Sequence, residues 1–157
     1  MFREMRRFGQ QLSDEQCRQV LTQQKRGVLA LLGDEGYPYT VPLDFWYDPS
    51  RQRICFHCAK VGHKIDAIAA CDKVSFCVYD EGHTEGDWSL FFNSVVSFGR
   101  IRVVDDPDDV IEIARQIGLK FYPAAEEVEE EIAKAANRLA AIELSIEHLA
   151  GKRVHEQ

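Results

Sequence analysis

Between Gly27 and Cys58 three strand-like runs follow one another with almost nothing between them. GVLALLG (27–33) is a short apolar run bounded by glycines, more strand than helix at that length. YPYTVPLDFWYD (37–48) is rich in β-branched and aromatic residues. In it Thr40, Pro42, Asp44 and Trp46 alternate with Val41, Leu43, Phe45 and Tyr47. RICFHC (53–58) is the third run. The connections, Asp34-Glu35-Gly36 and Asp48-Pro49-Ser50, are turn chemistry of hairpin length, which predicts an antiparallel meander. Pro42 cannot donate to a ladder, so that strand has an edge, a bulge or a ligand at this point.

The flanking segments extend this pattern. Ser13 and Gln16 form a capping box with Leu12 and Cys17 placed as a hydrophobic staple, predicting a helix over about 13–25. A short helix is expected over about 62–70, and KVSFCVYD (73–80) alternates as a strand. The loop EGHTEGD (81–87) leads into a long β-rich run from Trp88 to Val104. Asp106-Pro107-Asp108 starts a helix expected to run to about Gly118, and Pro123 separates it from a second, acidic helix at about 125–138. The tail is open on pattern alone. Ile142, Leu144 and Ile146 alternate as in a strand, while local propensity favours helix. Five or six strands with few helices indicate a mainly β protein, a closed antiparallel barrel with peripheral helices, in a single domain over 1–157.

Charge narrows the function classes. A formal net charge of -7 and a pI near 5.2 argue against nucleic acid as a partner, because phosphate neutralisation needs a basic surface. The N-terminus MFREMRRFGQQL has no apolar core of a signal peptide, and Val28 to Leu32 is too short to cross a bilayer. The expectation is a soluble cytoplasmic protein with reduced cysteines and no membrane contact. Cys55 and Cys58 sit three apart in a strand and so face opposite ways. They are better read as core residues than as a redox or zinc pair, and no metal site is expected. The run EEVEEE (126–131) reads as a solvated helix face.

FHCAKVGHKIDAI (56–68) raises the functional question. Lys60, His63 and Lys64 gather where a strand gives way to a helix, with no acid before Asp66. A helix N-terminus is the positive end of the macrodipole and favours anionic residues. Solvated basic side chains are the plain reading. The other is a bound phosphate, held by first-turn amides and these cations, with Gly62 allowing close approach. His57 then lies within roughly 15 Å of extended chain, suited to the reactive end of a nucleotide-sized cofactor and to proton transfer near neutral pH. Trp88, Phe91 and Phe92 fit a core, a wall over a flat ligand or a dimer contact equally well.

In order along the chain, RGVLALLGDEGYPYTVPLDFWYD, ICFHCAKVGHKIDAI, CDKVSFCVYD and SVVSFGRIRVV resemble the pyridoxamine phosphate oxidase-like flavin-binding split-barrel proteins, and within them the 5-nitroimidazole resistance branch. The resemblance covers about residues 6–153 and favours a strand at 142–148. It implies a six-stranded antiparallel FMN-binding split barrel, a homodimer with two cofactor sites at its interface. It places Thr40, Val41, Pro42 and Leu43 along the flavin ring, Phe56, His57 and Cys58 beside the ring and ribityl chain, and His63 and Lys64 on the phosphate. Ser94, Val95 and the Trp88/Phe92 pair would approach from the other subunit. FAD or a deazaflavin would present a phosphate in the same way. His57 falls where the nitroimidazole-resistance branch carries a histidine near flavin and substrate. Cys58 replaces a frequent glycine there. The chain lacks the more basic phosphate grip and the arginine-rich C-terminal segment of the true pyridoxamine phosphate oxidases, and it ends in GKRVHEQ. The implied function is an FMN-dependent reductase of small electrophiles such as nitroaromatics, with His57 as the catalytic residue. The alternative is a flavin- or haem-binding carrier or sensor without turnover.

Overall fold

A computed structural model describes residues 1–156, and the backbone alone of Glu156. The chain runs α1 (Asp14–Gln23), β1 (Arg26–Leu32), β2 (Pro38–Asp44), β3 (Trp46–Asp48), β4 (Arg53–Cys58), α2 (His63–Ala70), β5 (Lys73–Tyr79), β6 (His83–Thr84), β7 (Leu90–Val103), α3 (Pro107–Phe121), α4 (Ala125–Ala135) and β8 (Ala140–Glu156). The sheet order is β2-β1-β5-β7-β8-β4-β3, with β6 on β7 and every pairing antiparallel. Among the described residues no helix is long and apolar enough to cross a membrane.

The two ends of this sheet, β2 and β3, are consecutive in sequence and separated only by Phe45. The sheet therefore curls until one broken strand serves both edges, which makes a split barrel. The expected strand over 37–48 is thus two strands. Its first half ends on β1 at Arg26↔Asp44, and its second half begins on β4 at Trp46↔Cys55. Counting this break and the two-residue β6, eight segments stand where six strands were expected. Phe45 at the break is fully buried, edge-on to Phe76 with ring centroids 5.0 Å apart. Its carbonyl accepts a hydrogen bond from Lys120 Nζ at 2.9 Å. β2 is an edge strand, so the missing donor of Pro42 is tolerated.

Alternation sends Leu29, Phe45, Ile54, Phe56, Phe76 and Val95 into the barrel, where all are fully buried. Each such side chain contributes about 1.5–3 kcal/mol through burial. α1 closes one end with Cys17, Val20 and Leu21. Its capping box forms as expected, and Leu12 and Cys17 pack together onto Gly151. Only glycine fits there, since a Cβ would lie 2.2 Å from Cys17 Sγ. α2 contributes Ala67 and Ile68 to the same core.

A second core lies on the outer face of β4 and β8, where α3 lays Ile113 and Ile117 over Cys55 and Ala141. Burial of that face carries α3 past Gly118 to Phe121, and α4 stops at Ala135, short of the expected end. Beneath α3, the buried Arg53 joins Asp48 (2.9 Å), Asp109 (2.7 Å) and Glu143 (2.5 Å). The open question of the tail resolves as strand. β8 spans Ala140–Glu156, longer than 142–148, because β4 pairs with it from Ala140 to Ser145 and the long β7 pairs with it from Ile142 to Glu156.

Candidate functional site

The end of β4 and the start of α2 form the centre of the site. Phe56 points into the barrel and is fully buried, His57 faces outward and is exposed, and Cys58 packs half-buried against the barrel core. His57 and Cys58 pair with Ala141 and Ala140 of β8. Loss of surrounding solvent lowers the His57 pKa from the ordinary imidazole value. Asp44 opposes this shift and Lys64 reinforces it. The ring still meets solvent on its open side, so the effect concerns protonation rather than folding energy. Burial raises the Cys58 thiol, with Lys64 opposing. His57 therefore lies within reach of the charges of Asp44 and Lys64, and Cys58 within reach of that of Lys64.

The three clustered cations have different fates. Lys60 Nζ donates to the Asn137 carbonyl at 3.0 Å, tying this loop to the segment before β8. His63 stacks on Tyr39 with ring centroids 4.1 Å apart, and its Nε2 lies 3.7 Å from Asp34. Lys64 is half-buried and, among the described residues, has neither an ion pair nor a hydrogen-bond partner. No side chain caps α2, whose N-cap Gly62 holds φ 129°. Ile65 and Asp66 donate back to the Gly62 carbonyl, leaving the His63 and Lys64 amides without a partner among the described residues. A Cβ at Gly62 would meet nothing within 4 Å, so the approach is open. An uncompensated lysine beside orphan amides and free space fits a phosphate group.

The remaining expected residues sort by side of the sheet. Thr40 and Pro42 are exposed on the outward face of β2, while Val41 and Leu43 pack against the barrel core and offer a ligand only backbone. The Tyr39–His63 stack fastens β2 to α2. Val95 is fully buried inside the barrel, like Phe56, so neither side chain reaches an outside ligand. Ser94 is half-buried on the outward face between Tyr79 and Lys152. Trp88 is 98% exposed, which removes it from the core. Ser94, Val95 and Trp88 line no cavity with His57. The outward face also carries a band of small and apolar residues across five strands, in the register Pro42, Val28, Cys77, Val96 and Ala150.

Cys55 and Cys58 lie on opposite faces, one under α3 and the other against the barrel core. Burial pushes the Cys55 thiol up to about 12. Among the described residues there is no group of three or more His, Cys, Asp or Glu suited to a metal ion.

One part of the site has no local signature in the sequence. A cavity of about 730 Å³ opens between α3, α4 and the strand ends, with His57 and Asp44 in its wall. Ile117 and Phe121 of α3, Tyr122, and Glu127, Glu130, Glu131 and Ile132 of α4 form much of the rest. The glutamates were legible only as a solvated helix face. Nothing local says that α4 folds back opposite β4.

The family model for pyridoxamine 5'-phosphate oxidase matches residues 13–153. No curated protein is significantly similar in sequence. Among solved structures, the chain is similar to an FAD-binding protein from Mesorhizobium loti (25% identity, 92% of this chain and 96% of that one, TM-score 0.64). It shares its fold with a candidate 5-nitroimidazole antibiotic resistance protein from Bacteroides thetaiotaomicron (14% identity, 92% and 87% coverage, TM-score 0.77). It also shares it with an FAD and heme binding protein from Mycobacterium smegmatis (18% identity, 91% and 72% coverage, TM-score 0.71). With a family match over nearly the whole chain and the same split-barrel architecture, this protein belongs to the pyridoxamine 5'-phosphate oxidase family.

Proposed function

We propose that this protein is an FMN-binding flavoprotein that reduces small electrophiles such as nitroaromatic compounds. The observation that carries the reading is Lys64, a half-buried cation without an anionic partner at the uncapped start of α2, next to His57. Lys64 and the His63 and Lys64 amides would hold the phosphate. The backbone of Thr40 to Leu43, on the open sheet edge, would flank the ring. A bound flavin supplies the hydride or electron chemistry. The protein's own groups position the substrate and exclude water. His57, held toward its neutral form, accepts a hydrogen bond from the substrate or relays a proton at its ring nitrogen. The Mesorhizobium relative binds FAD by its name, and a pyrophosphate would also suit an uncapped helix start.

A homodimer with the cofactor at the interface accompanies this reading. The apolar outward band supports it, because a second copy would cover surface that water covers poorly. Ser94 and Trp88 would then approach the partner's flavin. All five cysteines are free, which supports a reducing cytoplasmic setting.

Mass spectrometry of the small molecule released on denaturation tests the cofactor, with FMN as the expected mass and no flavin as the refuting result. Nitroreduction by His57→Ala with flavin fully bound tests the residue, and unchanged turnover would remove His57 from the mechanism. Purified protein that holds flavin yet reduces no acceptor would instead be a carrier.

A further inference from the structure

The cavity beside His57 is lined unevenly in charge. It holds about 730 Å³, within the range of about 300–1,000 Å³ that encloses a drug-sized molecule. Its walls are apolar where Ile117, Phe121, Ile132 and Leu139 meet. Its rim is not neutral: Asp44, Glu127, Glu130 and Glu131 face it with a single guanidinium, Arg26. That guanidinium is already spent on Asp44 at 2.7 Å. Glu131 holds Lys134 at 2.7 Å, whereas Glu127 and Glu130 have no ion-pair partner among the described residues. Lys120 does not line the cavity, and its ammonium donates to the carbonyls of Gln24 and Phe45. Across His57 the polarity reverses, since Lys64 stands there without a counter-charge. The site is thus cationic at the start of α2 and anionic along α4, with His57 between.

We propose that the cavity between α3 and α4 binds organic cations, seating an aromatic or aliphatic body against Phe121, Ile132 and Leu139 with its ammonium group toward Glu127 and Glu130. The cavity defines the site, and the carboxylates set the charge of its occupant. That this occupant is the substrate rests on the reductase reading above. The binding preference does not.

Three probes with the same ring isolate charge: 4-nitrobenzylamine, 4-nitrobenzyl alcohol and 4-nitrobenzoate, titrated calorimetrically into the protein. The amine should bind about tenfold more tightly than the alcohol, and the benzoate more weakly still, with the spread narrowing at high salt. The triple variant Glu127→Gln, Glu130→Gln, Glu131→Gln should bring the amine to the level of the alcohol. Ala135 also lines the cavity, and Ala135→Trp, which fills it, should abolish binding of both. Equal affinities across the series would overturn the proposal. So would a preference that survives the triple variant, or amine binding that survives Ala135→Trp. Heat of binding requires neither turnover nor flavin, so failure to bind flavin would refute the function above while this test still decides the cavity.

Discussion

Replacing Lys64 by methionine removes one charge and keeps most of the alkyl stem of this half-buried side chain. If a phosphate completes this site, the variant loses a charge-assisted hydrogen bond, worth about 1.5–3 kcal/mol. Coulomb attraction at contact distance brackets the same quantity, between about 1 kcal/mol in water and about 4 kcal/mol near a protein surface. Lys64 is half-buried, so a middle value of about 2 kcal/mol applies, or roughly thirtyfold weaker flavin binding. The assay is titration of flavin-free protein with FMN, followed by flavin fluorescence. At about 1 M salt, where screening acts within about 3 Å, the gap between variant and parent should shrink. Lys60→Met is the control from the same loop. That lysine is committed to the Asn137 carbonyl, so its loss should leave FMN affinity within about twofold. Equal FMN affinity for Lys64→Met and the parent at low salt, or an equal loss in Lys60→Met, would refute the phosphate reading.

Two further predictions concern the frame around the site. Arg53→Met leaves Asp48, Asp109 and Glu143 without their shared buried cation and should cost about 3–5 kcal/mol, read as a fall in Tm. In the parent, the Arg53 bond lowers the Asp109 pKa. At Asp48 burial acts upward, but bonds from Ser50 and Arg53 outweigh it and the pKa is lowered. Carboxylates with depressed folded pKa values stabilise fully above the unfolded value of 3.8, and this contribution is lost as pH falls through the folded values. Melting of the parent should therefore weaken steeply below about pH 4, and a flat profile down to about pH 2 would contradict the network. Gly151→Ala drives a methyl to 2.2 Å from Cys17 Sγ and should cost about 1–3 kcal/mol of stability. Adding Cys17→Ala should recover part of that loss, and no recovery would place the strain elsewhere.

Local chemistry was readable wherever one face of an element decides its state. The alternation in 37–48 and 73–80, the capping box at Ser13 and Gln16, and the proline start of α3 each depend on neighbours within a few residues. The puzzle at 60–64 was readable too, but only as a collective excess of cations. Lys60, His63 and Lys64 are alike in sequence, and they separate only when Asn137, Tyr39 and Asp34 arrive from distant segments to occupy two of them. The break at Phe45 has no local cause either. It appears because the strand must leave β1 and join β4 to close the sheet, with Lys120 from far down the chain holding the carbonyl at the joint.

Short-range patterning thus determined the mainly β class and the opposed faces of Cys55 and Cys58, since side-chain alternation and turn geometry act over a few bonds. Tertiary structure decided which cation stays uncompensated, and it set the acidic α4 across from His57 as the wall of a cavity. Charge pairing and enclosed volume are properties of surfaces that meet, and segments some seventy residues apart acquire them only once the barrel has closed.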